Sequence, residues 1–372
     1  MHHDPIKSTY ARGTSRARHV AFAFGHNWVI LALWIPLPWG SERGAALPVL
    51  IRLYRSKKLA PKKDYLKRTA IAAEMIAEIA RWLPEGRKLL VVGDSEYACK
   101  TVLRALPEEV DFVGPMVMDA RIFAPLDSRS PSSKPRRGAP RKRGPRLPCP
   151  LKLANSRSTP WRKQTVMIYG RSVEVLLKTR IVLWYSVCHT RRVQLVLTRD
   201  PKGRIADRAY FSTVVAERQG PRRDLVTAGS VLRAFSRRWS LEVTFFNSKQ
   251  FLGLEDPQNG WGRRPRRPKR KRPGPQPCGS KGSKAARRTV PLILYTYGLA
   301  YIWYLKNGNP KADVDWVRKR MPWYRKKRDP SFADILRAIR RVHIEAQLKS
   351  HPLPNRVAQD IVTSLVEVPL VA

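Results

Sequence analysis

Leu89-Leu90-Val91-Val92 is a run of four apolar residues that ends abruptly in Gly93-Asp94-Ser95. So short a run, closed by a turn signal, reads as a buried strand. It carries a carboxylate, Asp94, to the carboxyl edge of a sheet, which is where open α/β sheets bind their ligands. The plainer role for Asp94 is to cap a following helix over Tyr97 to Leu106.

Around that strand the order of elements follows from periodicity. Val20 to Phe24 and Trp28 to Leu37 are apolar, β-branched and aromatic, and Gly25-His26-Asn27 between them reads as a hairpin turn, with His26 a turn residue rather than a catalyst. Ala46 to Tyr54 predicts a third strand. Lys67 to Leu83 has Ala70, Ile71, Met75, Ile76, Ile79 and Trp82 at helical spacing and stops before Pro84-Glu85-Gly86. Asp111 to Val113 predicts the next strand. Between Thr165 and Leu197, alternating runs at Val166 to Tyr169, Ser172 to Lys178 and Ile181 to Val187, with a fourth at Val193 to Thr198, predict a small antiparallel sheet. Asp200 and Asp207 follow it, in Asp200-Pro201-Lys202-Gly203 and after a glycine turn, where turn chemistry is a better role than metal binding. Val290 to Leu305 and Phe332 to Leu348 predict helices.

The stretch Phe235 to Lys249, FSRRWSLEVTFFNSK, sets one carboxylate among cations and aromatics. On a helix, Arg238, Glu242, Phe245, Phe246 and Lys249 share one face. Taken alone this is a surface helix with an Arg238 to Glu242 pair of about 0.2–0.5 kcal/mol. Together with Asp94 it is more: two acids near cations suit Mg²⁺, which takes few carboxylates and fills its shell with water and phosphate.

Charge decides the class of partner. Among 372 residues, 73 Lys and Arg face 28 acids, a formal charge of +45. That excess points to a polyanion. Two segments concentrate it: Arg129 to Arg146 has eight Lys/Arg and Trp261 to Arg288 has twelve, both without an acid and rich in proline. They predict a mobile loop and a flexible phosphate-binding segment. Eleven Trp and twelve Tyr among the cations favour nucleic acid over a membrane surface, since aromatic faces stack on bases. Trp161, Trp184 and Tyr185 are candidates for stacking on a flipped-out base, although aromatics in a small sheet are more often core. No apolar run approaches the roughly 20 residues of a membrane span, and the amino end lacks the apolar core of a secretory signal. The cysteines, Cys99, Cys149, Cys188 and Cys278, lie too far apart for a zinc ribbon and fit a reducing cytoplasm.

Phe235, Arg238, Glu242 and Lys249 resemble the Y-x2-R-x3-E-x6-K signature of DDE-type insertion-sequence transposases, with Phe235 in the tyrosine's place. The text RRWSLE, the following KQFLGL (Lys249 to Leu254) and the Asp94 strand are also similar to that family. The resemblance implies an α/β fold, with an RNase H-like mixed sheet flanked by helices and interrupted by a mainly β insertion. Residues 1–125 and 201–256 would form the catalytic domain, 126–200 the basic loop and insertion, 257–288 a disordered basic segment, and 289–372 C-terminal helices. Asp94 and Glu242, with a third acid, would be catalytic and hold two Mg²⁺ (or Mn²⁺) roughly 3.5–4 Å apart. Phe235, Arg238 and Lys249 would bind DNA. The implied activity is cutting and joining of insertion-sequence ends, on element and target DNA, by a homodimer, in the cytoplasm at the nucleoid and with no membrane. The missing phenol at Phe235 removes one hydrogen bond to phosphate. The rival is a non-catalytic basic protein that binds nucleic acid through its two basic segments.

The third acid is the gap in the pattern. Before Asp94 the aspartates are Asp4 and Asp64. Asp64 lies in a polar lead-in to a helix and suits a cap. Asp4 has three residues before it, too few for a strand, and His2-His3-Asp4 are ligand types whose consecutive side chains diverge. The expectation is therefore that the first strand and its Asp lie upstream of Met1, either through a start assigned too late or through decay of the element into a truncated, inactive remnant, with Asp4 as an improvised third ligand the weaker option.

Overall fold

The structure is a computed structural model that describes residues 4–8, 21–40, 43–57, 64–126, 141–215, 228–254, 279–350 and 360. It divides into two compact units. A sheet unit takes Asp4–Leu31 and Arg52–Trp239, and a helical unit takes Ala32–Ile51 and Ser240–Ala372 with Met1–His3. The whole is mixed α/β, as expected.

Strand β1 (Asp4–Ser8) pairs antiparallel with β2 (Ala21–Gly25), Asp4 opposite Gly25 and Ser8 opposite Ala21. Asp4 thus opens a strand, contrary to the expectation that it stands too near the terminus for one. No hairpin forms at His26. It alone separates β2 from β3 (Asn27–Pro36), and one residue cannot reverse a chain that needs two. The partner of β3 is β4 (Gly44–Tyr54). Helix α1 (Arg68–Ala80) buries Ile71, Ala72, Met75 and Ile76. Arg52 of β4 reaches across to it, pairing with Glu74 at 2.9 Å and with Glu78. Asp64 does not cap α1, whose N-cap is Lys67 without a side-chain bond.

The sheet unit is built on six strands in the order β5 (Leu89–Val92), β6 (Val110–Met116), β10 (Arg208–Ser212), β9 (Arg192–Arg199), β8 (Arg171–Leu183) and β7 (Arg162–Ile168). Only β5 and β6 are parallel, in register from Leu89 opposite Val110 to Val92 opposite Val113. The Gly93 N–H continues that ladder onto the Val113 carbonyl at 3.0 Å. The alternating runs expected to form a sheet of their own are hydrogen-bonded into this one. Two of them merge into the thirteen-residue β8, because Thr179-Arg180 between them offers no turn residue. The real reversal is Tyr169-Gly170, both at positive φ, a two-residue loop joining β7 to β8.

Phe112 stacks on Phe211 at 5.9 Å and Trp184 meets Phe211 edge-on at 5.3 Å. Trp184 is therefore core, not a base platform. Helix α5 (Ala228–Arg237) lays Val231, Leu232 and Ala234 against Val113, Val166, Val175, Leu177, Val196 and Tyr210. At the far end, Lys178 of β8 is only 5 % exposed and gives its ammonium protons to the carbonyls of Leu153, Ala154 and Ser156, at 3.3, 3.0 and 2.8 Å. These close helix α3 (Pro150–Asn155), so one buried cation caps a helix end rich in unpaired carbonyls. Trp161 lies beneath that cation at 4.6 Å and beneath Arg199 at 4.5 Å, and is held as a cation-π partner.

Beyond β8, Tyr185–Cys188 forms one helical turn, α4, instead of strand. It hands over to β9 through Cys188-His189-Thr190-Arg191, with the Arg191 N–H on the Cys188 carbonyl at 3.1 Å. His189 there has φ 53 and ψ −125, the first central position of a type II′ turn, which glycine fills without strain. His189→Gly is expected to raise the midpoint of urea unfolding, by about 0.5–1 kcal/mol once the extra freedom of the unfolded chain is set against the relieved strain. An unchanged or lower midpoint would mean that the His189 contact with Tyr185, rings 4.8 Å apart, outweighs the strain.

In the helical unit, α6 (Trp239–Phe251), α7 (Gly279–Asn307), α8 (Pro310–Arg320) and α9 (Phe332–Ser350) surround Tyr297, Tyr301, Tyr304, Phe332 and Ile335, with Ala45 and Leu47 among them. Helix α7 shares its core with α6, whose Phe251 packs against the cluster that holds Tyr297, Tyr301 and Tyr304. It begins at Gly279, inside the stretch expected to lack structure, where Lys284, Ala285, Ala286 and Arg287 are strong helix formers free of proline. Residues 255–278, like 127–140 of the other basic stretch, lie outside the described residues. Asp334 ties down the start of α9, its carboxylate accepting the Ser331 N–H at 2.7 Å and the Ser331 hydroxyl at 2.8 Å. Among the described residues no helix is long and apolar enough to cross a membrane.

Candidate functional site

Asp94 follows β5 directly, as its sequence predicts. Its Oδ1 accepts the Glu96 N–H at 2.9 Å and its carbonyl accepts the Ala98 N–H at 3.1 Å, so the carboxylate folds a turn. The helix behind it is α2 (Lys100–Leu103), shorter than expected and capped at Cys99 without a side-chain bond, so Asp94 is no helix cap. Gly93 and Gly114 let the backbone turn here. A Cβ on Gly93 would stand 2.5 Å from the Phe112 ring, and one on Gly114 would stand 2.8 Å from that ring and 3.3 Å from the Gly93 carbonyl.

Sequence reasoning missed the side chains around Asp94. Glu96 is bridged to Arg68 of α1 at 2.7 Å. The Tyr97 phenol is pushed up to about 12, by burial first and then by Glu96 and Asp94, with Arg68 opposing. The local signal was the Asp94-Ser95-Glu96 turn, but the pairing with Arg68 is long-range and leaves no mark in the string.

The signature residues fall on both sides of a pause in the helix. Phe235 lies in the last turn of α5, its ring 4.9 Å from Tyr210, and the Arg238 guanidinium lies 5.8 Å from the Phe235 centroid. Phe235 is a packing residue. At Arg238 the chain tightens to a three-residue bond, the Arg238 N–H on the Phe235 carbonyl at 3.2 Å, so Arg238 stands one residue before α6 and not on a continuous helical face with Glu242. Within α6 the expected face exists. Thr244 and Ser248 are buried, Thr244 hydrogen-bonding the carbonyls of Ala46 and Ser240 at 2.8 and 3.0 Å, whereas Glu242, Phe245, Phe246 and Lys249 occupy the other side. Glu242 lies in the first turn and Lys249 in the last, each at the helix end whose dipole favours its charge.

Phe235, Arg238 and Asp94 belong to the sheet unit, Glu242 and Lys249 to the helical unit. Asp94 and Glu242 are hard oxygen donors of the kind Mg²⁺ takes, so they fit the ion in chemistry. Among the described residues, no group of three His, Cys, Asp or Glu side chains is gathered to hold one. The other acids have structural work. Asp200 accepts the N–H groups of Lys202 and Arg204 at 3.0 and 3.1 Å, and those bonds hold its carboxyl below the usual range. Asp207 takes the Arg199 guanidinium on both oxygens. Asp111, 7 % exposed, accepts from Arg191 and Thr213, both at 2.9 Å. Asp64 is exposed.

The described end of the first basic stretch is pinned. Arg143 stacks over Phe123 at 4.2 Å and over Tyr185 at 5.0 Å, and the Gly144 N–H bonds the Ala124 carbonyl at 3.0 Å. Tyr185 is thereby taken by Arg143 and His189. The cysteines that can be described, Cys99, Cys149 and Cys188, are free thiols. No family model matches this chain, and no curated protein matches it.

Proposed function

We propose that the chain is a DDE-type DNA transposase with an RNase H-like catalytic domain, acting on insertion-sequence ends and target DNA as a homodimer at the nucleoid. The observation that supports this best is the placement of its acids: Asp94 leaves the carboxyl end of a parallel-paired strand, and Glu242 lies in the first turn of α6 beside the Phe235, Arg238 and Lys249 spacing. A net charge of +45 supports a polyanion as substrate.

In this reading Asp94 and Glu242 are the carboxylates that hold Mg²⁺ or Mn²⁺, and the bound ions supply Lewis acidity for in-line displacement at phosphorus. Arg238 and Lys249 hold the scissile phosphate by charge-assisted hydrogen bonds. Phe235 anchors Arg238 by packing on Tyr210, a positioning role that needs no phenol.

Glu242→Gln tests this, because it keeps size and hydrogen bonding while removing charge. Mg²⁺-dependent nicking of an element end should fall at least about a hundredfold, with DNA retention on a filter changed less than twofold. Nicking unchanged by both Glu242→Gln and Asp94→Ala would overturn the proposal. If binding is then lost only when the basic segments are deleted, the non-catalytic nucleic-acid-binding reading takes its place.

A further inference from the structure

Between α8 and α9 the chain reads Met321-Pro322-Trp323-Tyr324-Arg325-Lys326-Lys327-Arg328, and from Arg318 to Arg328 it carries seven Lys/Arg and no acid. Pro322–Tyr324 forms a single 3₁₀ turn whose two ends are tied down. Met321 is buried and held extended before the proline, its N–H on the Val317 carbonyl at 2.8 Å. Beyond the turn, the Lys327 N–H bonds the Tyr324 carbonyl at 2.9 Å and the Lys327 ammonium meets Asp334 at 2.6 Å, while Asp329 pairs with Arg43 at 2.9 Å. The turn is therefore fixed, and it presents aromatic rings to solvent. Trp323 is 75 % exposed, more than any other large apolar side chain among the described residues, and Tyr324 is 47 % exposed. Arg318, Lys319, Arg325, Lys326 and Arg328, which flank them, are exposed as well.

We infer that this turn is a binding site for single-stranded nucleic acid, where an unpaired base stacks on Trp323 and the neighbouring cations take the phosphates on either side of it. A tryptophan this exposed contributes little to the core, and a rigid apolar face set among cations is what a flat base with its phosphate requires. A duplex hides its base faces in the stack, so the ring selects an unpaired strand, which the cations alone would not do. An acidic peptide would use the cations and leave the indole idle. A lipid surface is a poorer fit: beyond the two aromatics and Pro322, the one apolar side chain between Arg318 and Arg328 is Met321, and it is buried, so no apolar face is left to sink among acyl chains. Neither phosphate binding by the basic segments nor metal chemistry at Asp94 and Glu242 calls for these rings. The site adds a preference for unpaired strand, and it stands or falls separately from both.

Fluorescence anisotropy of a labelled oligo(dT) strand tests it on the full chain, in chelator to exclude metal chemistry and in enough salt to weaken binding through phosphates alone. Trp323→Ala removes the ring without changing the charge. It should weaken oligo(dT) binding at least about fivefold, the low end of what one stacked base contributes, while binding of a duplex of the same length changes by less than about twofold. Because the side chain is exposed, the variant should unfold at the parent's urea midpoint. Trp323→Phe, which keeps a stacking face, should lose less, and an iodouracil-bearing strand should crosslink to the peptide that holds Trp323. Unchanged oligo(dT) binding in Trp323→Ala, an equal loss for the duplex, or a crosslink that maps only elsewhere would overturn the inference. So would a loss of cosedimentation with phosphatidylserine vesicles without any loss of oligo(dT) binding, which would assign the turn to a membrane surface. Glu242→Gln should bind oligo(dT) as the parent protein does, so the nicking and the strand binding fail independently.

Discussion

Replacing Asp334 by alanine should cost the helical unit about 3–5 kcal/mol, the penalty for leaving buried cations without their counter-charge. Asp334 is 3 % exposed and its two oxygens hold four donors: the Ser331 N–H and hydroxyl, Lys327 at 2.6 Å and Arg337 at 3.1 Å. Arg337 is itself 5 % exposed, stacked on Trp316 at 4.0 Å, and burial already lowers its affinity for a proton. It also donates to the Asp313 carbonyl at 3.2 Å, and Asp313 accepts the Tyr304 hydroxyl at 2.6 Å. Taking out one carboxylate therefore frees the start of α9 and strands two cations at once. Urea unfolding followed by tryptophan fluorescence reads the loss. Asp334→Asn, which keeps an acceptor for Ser331, should fall between the two; a loss below about 1 kcal/mol in Asp334→Ala would mean that water satisfies these donors and the network is not closed.

Lys178→Met should destabilise the sheet unit by about 2–3 kcal/mol, as three carbonyls at the end of α3 lose their donor while the buried charge is relieved. The variant should also change the pH profile. Burial, reinforced by Arg199, lowers the Lys178 pKa in the folded protein, with Asp207 opposing. In the window below the unfolded value of about 10.5, the unfolded chain then binds more protons than the folded one, so this group makes the native state gain stability as pH rises. Urea midpoints between pH 8 and 10 should show the parent protein closing in on its own maximum relative to Lys178→Met. Parallel profiles would show that the ammonium keeps its ordinary pKa, the three carbonyl bonds offsetting the cost of its burial.

What was legible in the chain was local. Leu89 to Val92, Lys67 to Leu83 and Val290 to Leu305 became β5, α1 and part of α7, because runs and helical spacings are short-range facts. Asp94 came out at the predicted strand end for the same reason. Pairing was not legible. His26 suggested a hairpin because Gly and Asn flank it, yet β2 finds β1 and β3 finds β4. The strands expected as a separate insertion join β5 and β6 through β10, a choice made by contacts up to a hundred residues apart, such as the Thr213 hydroxyl donating to Asp111. Lys178 looked like any strand lysine, since its burial depends on three carbonyls more than twenty residues away. The helix pause at Arg238 was invisible too: nothing in Ser236-Arg237-Arg238-Trp239 breaks a helix by composition.

The parallel ladder of β5 on β6 has a last rung, and β6 itself supplies the reason. Val113 turns its carbonyl toward β5, where it meets the Gly93 N–H. Two residues on, in the alternation of a strand, the same side belongs to position 115. That position is Pro115, which has no hydrogen to offer. A chain leaving Gly93 finds no donor to follow, so it lets go of the sheet at that point and Asp94 swings out into its turn with Glu96. The stopping place of the acid is thus written on the neighbouring strand, as a silence in its hydrogen-bonding score, and any other residue at 115 would invite the strand to run on and draw the carboxylate back into the pleat.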